Sequence, residues 1–272
     1  MPDQYAVIGN PVAHSMSPLI HAAFARQTGQ DLVYERLLAP KDAFVATANA
    51  FRAGGGRGLN VTVPFKGEAF RYATMLSERA SAAQAVNTLK FDSGVIFADN
   101  TDGAGLVNDL LRNLGFVIAG RRILLLGAGG AARGVIEPLL LQQPAQFVLA
   151  NRTPDKAQRL AQSFRGALEA ITYAALAGRQ FDLVVNATSA SLAGELPPLP
   201  PRAFARGALA YDMMYGRGET PFLAFARSEG AARLADGLGM LVEQAAESFF
   251  IWRGLRPDCA PVLQLLRQTK HA

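Results

Sequence analysis

One uninterrupted stretch, RRILLLGAGGAARGVIEPLLLQQPAQFVLANRT from Arg121 to Thr153, limits the fold more than any other part of the chain. Ile123 to Leu126 is a short apolar run of the kind buried on both faces of a parallel sheet. Gly127, Gly129 and Gly130 allow a tight turn whose bare backbone can approach a pyrophosphate, with Ala128 and Ala131 between and after them. Gly134 lets the following helix pack closely on its strand, and the helix N-terminus offers free N–H groups to phosphate. A second strand, Phe147 to Ala150, runs into Asn151, Arg152 and Thr153. At that place a NAD-binding domain presents an acidic residue to the ribose hydroxyls. Here the residue type is reversed: Arg152, with Lys156 one turn further on, offers positive charge to a 2′-phosphate, so NADP is expected over NAD. A glycine turn alone is weak evidence, but strand, turn, helix, strand and basic terminus in order are specific.

The 272 residues suffice for two domains, and half of them are hydrophobic, enough for at least one large core. The formal charge of +5 comes from scattered arginines without a block of like charge or an aromatic-rich basic stripe. No nucleic-acid partner is expected, and small anions fit the balance better. Cys259 is alone, so no internal disulfide forms and a reducing, cytoplasmic setting is expected. The start, MPDQYAVIG, has neither a basic leader nor a long apolar segment, and later apolar runs are broken by Arg, Glu or Gly, so no membrane is expected. His14, His21 and His271 lack cysteine or carboxylate neighbours at ligand spacing, so no metal is expected.

Strand and helix signals alternate through the first hundred residues: Tyr5 to Ile8 as strand, Pro18 to Gln27 as helix, Leu32 to Leu38 as strand, Lys41 to Arg52 as helix, and Leu59 to Val63 as strand. Ser17 suits an N-cap, and Gly54, Gly55 and Gly56 end a helix and begin a loop. Val86 to Phe91 and Val95 to Ala98 form a hairpin around Asp92, Ser93 and Gly94. One amphipathic helix from Gly103 to Gly115 serves as a connector. Strands at Phe181 to Val185 and Ala208 to Tyr211 continue a repeating βα order, while PPLPP at Pro197 to Pro201 is a rigid loop. A long helix after Gly237 and another from near Pro261 close the chain, with Phe249, Phe250 and Trp252 as packing residues. The expected class is α/β with two domains: an N-terminal α/β substrate domain, 1–102, and a Rossmann-like, doubly wound parallel-sheet NADP domain, 103–236. The C-terminal helices, 237–272, are expected to pack back on the first.

Four motifs place polar residues where loops leave strands, the positions at which α/β proteins bind ligands. GNPVAHSMSP sets Ser15 and Ser17 two apart, so that both hydroxyls could converge on a carboxylate or simply cap a helix. NVTVPFK carries Thr62 and then Lys66, a residue that is either a solvated charge or a catalytic one. AVNTL sets Asn87 in an apolar strand, where an amide needs a partner or a ligand. DNTDG ends a strand and opens a helix at Asp102, either an N-cap or a site carboxylate.

These motifs together with GAGGAARG, NRT, NATSAS, YDMMYG and DGLGMLVEQA resemble the shikimate dehydrogenase family, in its order and spacing over nearly the whole chain. The resemblance implies reversible NADPH-dependent reduction of 3-dehydroshikimate to shikimate on the route to chorismate and the aromatic amino acids. It implies Lys66 and Asp102 as catalytic residues, and Ser15 and Ser17 as carboxylate binders. Thr62, Asn87, Asp102 and Gln244 would hold the ring hydroxyls, with Tyr215 also at the substrate. Gly127, Ala128, Gly129, Gly130 and Ala131 would hold the diphosphate, and Asn151, Arg152, Thr153 and Lys156 the 2′-phosphate. Met213 and Gly237 would lie around the nicotinamide, and Glu78 would make a weaker cofactor contact. In such chemistry Lys66 supplies a field and a proton to the carbonyl oxygen, and Asp102 holds its ammonium. Two departures stand out: Ala22 follows His21 where the family has Asn, and Ser191 stands where it has Gly. The resemblance leaves open a quinate-oxidising relative with relaxed cofactor choice, a non-catalytic NADP or shikimate sensor, and a homodimer.

Overall fold

The computed structural model describes residues 1–164, 166–188, 195–216 and 218–271, the last three as backbone. Ser191, one of the two departures, lies outside the described residues. The chain forms two compact units, Met1–Gly105 with Leu241–Leu266, and Leu106–Met240 with Arg267–Ala272.

The first unit begins β1 (Asp3–Gly9), α1 (Ser17–Thr28), β2 (Leu32–Leu38), α2 (Phe44–Ala53) and β3 (Gly56–Val61). It continues with α3 (Lys66–Tyr72), β4 (Met75–Leu76), α4 (Glu78–Ala83), the antiparallel pair β5 (Thr88–Asp92) and β6 (Val95–Asp99), and the start of α5 (Asp102–Asn108). The sheet order is β2-β1-β3-β5-β6-β4, with β1 parallel to β2 and β3, and β5 antiparallel to both its neighbours. Ile8, Phe44, Leu59, Phe65, Val86 and Leu89 fill one core, each burial contributing about 1.5–3 kcal/mol.

In the second unit β7 (Arg122–Leu126), α6 (Gly130–Leu140), β8 (Gln146–Ala150), α7 (Pro154–Gln162), β9 (Glu169–Ile171), β10 (Phe181–Asn186), β11 (Phe204–Asp212), α8 (Pro221–Ser228) and β12 (Arg233–Asp236) follow in turn. All strands are parallel, in the order β12-β11-β10-β7-β8-β9. The two halves wind outward from β7 and β10, which makes their junction the switch point of a doubly wound sheet. Alternation along β7 divides its side chains between two cores, Ile123 and Leu125 in one and Leu124 and Leu126 in the other. The chain ends with α9 (Leu238–Arg253) and α10 (Ala260–His271). No helix among the described residues is long and apolar enough to cross a membrane.

Several sequence expectations shift. Ser17 is not an N-cap: Met16 holds that position without a side-chain hydrogen bond, and Ser17 is already helical. The Ser15 hydroxyl instead accepts the Ser17 N–H at 3.3 Å. The helix expected from Lys41 begins only at Phe44, because Pro40 to Ala43 close a turn, with the Ala43 N–H on the Pro40 carbonyl at 3.0 Å. Gly56 starts β3 rather than a loop, where a side chain would collide with the Phe51 ring. The connector is not one regular helix: α5 gives way to a π turn over Asp109–Asn113. There the buried Asp109 carboxylate accepts the Tyr211 hydroxyl at 2.7 Å and lies against the Cα of Gly239. Phe249 and Trp252 are buried, but Phe250 is 41% exposed beneath the Arg256 guanidinium, since it falls on the outer face of α9. The short helices α3 and α4 have too few turns to show a helical period in the sequence.

Candidate active site

Lys66 and Asp102 each open a helix in the first unit, and their side chains meet, with Lys66 Nζ 2.5 Å from Asp102 Oδ2. A turn from Thr62 to Phe65, which includes a cis Val63–Pro64 bond, delivers Lys66, and its carbonyl accepts the Val86 N–H at 3.0 Å. That bond ties α3 to the residue preceding Asn87. The DNTD segment is held by its own side chains. Asn100 Oδ1 accepts the Asp102 N–H at 3.1 Å and its amide donates to the Ala85 carbonyl at 3.0 Å. Asp99 accepts from Asn100 N–H, the Ser77 hydroxyl and the Arg79 guanidinium, which also pairs with Glu247. Asp102 is therefore no N-cap of solvent-facing kind: its second oxygen accepts the Asn87 amide at 2.9 Å. The Lys66 side chain is 21% exposed and that of Asp102 8%, so the ammonium reaches open space while the carboxylate stays buried and paired.

Asn87 joins the remaining groups. Its Nδ2 also lies 2.8 Å from Thr101 Oγ1 and 3.1 Å from Gln244 Oε1, and its Oδ1 accepts the Thr101 N–H at 2.8 Å. Gln244 reaches this point from α9, and the Ser248 hydroxyl one turn later donates to the Gln244 carbonyl at 3.0 Å. Lys66, Asp102, Asn87 and Gln244 thus form one bonded cluster. Thr62, at the end of β3, makes no side-chain hydrogen bond to it, and its backbone N–H donates to the Ile8 carbonyl. Sequence reading missed Thr88, Ser248 and Tyr34. Ser248 was detectable, because it lies four residues from Gln244 on the same helical face.

Ser15 and Ser17 stand together, their hydroxyls 3.2 Å apart, with the Arg36 guanidinium on the Ser15 carbonyl at 2.6 Å. Ser17 lies against the Tyr34 hydroxyl, which donates to Asn60 Oδ1 at 2.7 Å. Burial pushes the Tyr34 hydroxyl well above its ordinary value, so it stays protonated and donates. His21 stacks on the Tyr34 ring at 4.2 Å, and neither of its buried nitrogens makes a regular hydrogen bond. Burial lowers its pKa to about 3, against only a weak opposing interaction with Asn60. With His21 unbonded, Ala22 beside it removes no hydrogen bond of that ring.

The second unit carries the nucleotide motif along the carboxyl ends of its strands. Gly127 follows β7 with φ +107°, and a side chain there would meet the Ala187 carbonyl at 3.1 Å. Ala128 packs toward the core, Gly129 stands at the N-cap of α6 without a side-chain bond, and Gly130 and Ala131 form its first turn. Both glycines are exposed with open space at their Cα, so backbone N–H groups face outward at a helix of eleven residues. At the end of β8, the Asn151 amide donates to the Thr153 carbonyl at 2.9 Å, shaping the start of α7. Arg152 and Lys156 are exposed there, and neither forms an ion pair among the described residues. An uncapped helix start beside two unpaired cations fits a dinucleotide bearing an extra phosphate. Met213 and Gly237 each follow directly on the paired strand ends Asp212 and Asp236, Gly237 so tightly against the Met213 carbonyl that a side chain has no room. Tyr215 follows in the same unit, with burial raising its hydroxyl, whereas Glu78 is the first residue of α4 in the other unit. Among the described residues no group of metal-ligating side chains is assembled.

Comparison with known proteins shows the family of the chain. The family model described as shikimate dehydrogenase substrate binding domain matches residues 7–89, that of shikimate/quinate 5-dehydrogenase residues 110–193, and that of the shikimate 5′-dehydrogenase C-terminal domain residues 237–267. A shikimate dehydrogenase (NADP(+)) of Nitrosospira multiformis is 63% identical over 271 residues, covering 99% of this chain and 98% of its relative. One of the same name from Dechloromonas aromatica is 64% identical over 269 residues, with 98% of each chain covered. The structure of shikimate 5-dehydrogenase from Thermus thermophilus in complex with NADP(H) and shikimate superposes with a TM-score of 0.88 at 33% identity, covering 98% of this chain and 99% of that one.

Proposed function

Because the chain belongs to the shikimate dehydrogenase family, we propose that it catalyses the reversible NADPH-dependent reduction of 3-dehydroshikimate to shikimate. It is then an oxidoreductase acting on a CH–OH group, on the route to chorismate and the aromatic amino acids. The observation that carries the reading is the Lys66–Asp102 pair at 2.5 Å, with the carboxylate's other oxygen held by Asn87. The unit of Met1–Gly105 with Leu241–Leu266 is the substrate domain and the unit of Leu106–Met240 with Arg267–Ala272 the NADP domain, so the expected boundaries at 102 and 237 move by a few residues and the end of the last helix goes with the second unit. The lone Cys259 supports a reducing, cytoplasmic setting.

Within this reading the substrate carboxylate lies on the Ser15 and Ser17 hydroxyls, which stand 3.2 Å apart. Thr62, Asn87, Asp102 and Gln244 receive the ring hydroxyls, with Tyr215 also at the substrate. The chemistry NADPH supplies when bound is a hydride for the ketone carbon. Lys66 Nζ holds the proton that the carbonyl oxygen takes up and stabilises the charge growing there. Asp102 keeps that ammonium from swinging into solvent. Gly127, Ala128, Gly129, Gly130 and Ala131 hold the diphosphate, Asn151, Arg152, Thr153 and Lys156 the 2′-phosphate, Met213 and Gly237 the nicotinamide end, and Glu78 makes a lesser contact.

Specificity constants for shikimate and quinate, each with NADP and with NAD, test this assignment. Shikimate with NADP is expected to be preferred, and a preference for quinate with NAD would overturn it. In the same assay Arg152→Ala should lower kcat/KM with NADP about 10–100-fold, the loss of a charge-assisted contact of about 1.5–3 kcal/mol, and leave the NAD reaction nearly unchanged. An equal loss with both cofactors would contradict a 2′-phosphate role for Arg152.

A further inference from the structure

The buried hydroxyl of Thr88 has no part in the roles assigned above, yet it sits among Asn60, Asn87 and Ser248 behind the catalytic pair. It lies 3.0 Å from Asn87 Oδ1, 2.8 Å from Ser248 Oγ and 3.2 Å from Asn60 Nδ2. Strand register fixes the position: Thr88 on β5 is paired with Asn60 of β3 on one side and with Asp99 of β6 on the other. A β-branched side chain has little rotamer freedom there.

Donor and acceptor types determine which way these bonds run. The orientation of Asn60 is set because its Nδ2 faces the Asn87 carbonyl at 3.2 Å, an acceptor only, while its Oδ1 takes the Tyr34 hydroxyl at 2.7 Å. Asn60 Nδ2 can therefore only donate, to Thr88 Oγ1 at 3.2 Å and to Ser248 Oγ at 2.9 Å. The Ser248 proton lies on the Gln244 carbonyl, so the single Thr88 proton lies between two acceptors, Asn87 Oδ1 at 3.0 Å and Ser248 Oγ at 2.8 Å. At Asn87 the carboxylate of Asp102 is an acceptor only and faces Nδ2, so turning the amide over would set oxygen against oxygen. The Thr101 hydroxyl does not choose between the two orientations, since it lies 2.8 Å from Nδ2 and 3.2 Å from Oδ1 and can serve either. The choice falls to the Thr101 N–H and to Thr88. Read in order, Tyr34 donates to Asn60, Asn60 to Thr88, Thr88 to Asn87 and Asn87 to Asp102. Every dipole in this series points its positive end toward the carboxylate, and bonds aligned in this way strengthen one another in a buried setting.

Resting on the dehydrogenase reading, we propose that Thr88 is a positioning residue: its hydroxyl holds the Asn87 amide turned toward Asp102, leaving the other carboxylate oxygen for Lys66. Thr88→Val keeps the shape and removes the hydroxyl, and Thr88→Ser keeps the hydroxyl and removes a methyl group. With purified wild type and both variants, initial rates of 3-dehydroshikimate reduction by NADPH give kcat and KM, and thermal melting reports folding. Thr88→Val is expected to lose about fivefold to tenfold in kcat, the effect of one neutral hydrogen bond, with a smaller change in KM. Thr88→Ser should recover most of it. Wild-type kcat in Thr88→Val, a loss that Ser does not restore, or a rise in KM at unchanged kcat would overturn the proposal while leaving the activity intact. No turnover by the wild type would overturn the dehydrogenase reading together with it.

Discussion

Lys66→Ala should lower kcat for 3-dehydroshikimate reduction by about 10²–10⁴-fold, the usual contribution of a positioned general acid. Two features make Lys66 the source of the proton. Its Nζ is anchored 2.5 Å from Asp102, and its side chain keeps partial exposure where the carboxylate has almost none. Alanine removes both the proton and the positive charge that meets the developing alkoxide, whereas the paired serines that receive the carboxylate and the glycine turn of the other unit stay as they are. The loss should therefore fall on kcat, with KM for either ligand changing far less. Steady-state kinetics with a melting curve for the variant checks this. A kcat near that of the wild type, in a folded variant, would remove Lys66 from the chemistry.

Acid should weaken the fold through His21. Its ordinary pKa of 6.5 is lowered to about 3 by burial, so the folded chain takes up the proton much less readily than the unfolded chain does. Stability linked to this group is fully present above 6.5 and is lost as pH falls toward about 3. From about pH 7 to about pH 4.5 the loss is on the order of 2–3 kcal/mol, before most carboxylates titrate. A charged ring at this position would also break the stack on Tyr34, the first donor of the series that leads to Asp102. His21→Phe should flatten this limb of the curve, and, because two unbonded buried nitrogens disappear, cost little stability at neutral pH. Urea midpoints across the range, wild type beside variant, check the effect. Parallel curves would show that His21 does not carry it.

Much of the fold could be read from the chain because one residue pattern admitted one arrangement. Ile123 to Leu126 is apolar at every position, and the strand divides those side chains between two cores. Gly127 after it answers to a local geometric need, with φ +107° and the Ala187 carbonyl 3.1 Å from where a side chain would begin. Where tertiary packing decided, local signals fell short. The π turn at Asp109 depends on Tyr211, more than a hundred residues away, and Phe250 faces outward although its neighbour Phe249 is buried. In the candidate site, the polar residues at strand ends were visible as anomalies, and family resemblance gave them roles. Thr88 was not visible, because a threonine in a strand is an ordinary residue until the sheet and α9 bring it within 2.8 Å of Ser248.

The most direct measurement is the absorbance of reduced nicotinamide after the purified chain is mixed with NADPH and 3-dehydroshikimate. A steady decline that needs both compounds, ends with shikimate as product, and slows sharply when NADH replaces NADPH is the predicted result. Absorbance that stays level with saturating amounts of both, in a protein shown to be folded, would contradict the assignment of this chain as an NADP-dependent shikimate dehydrogenase.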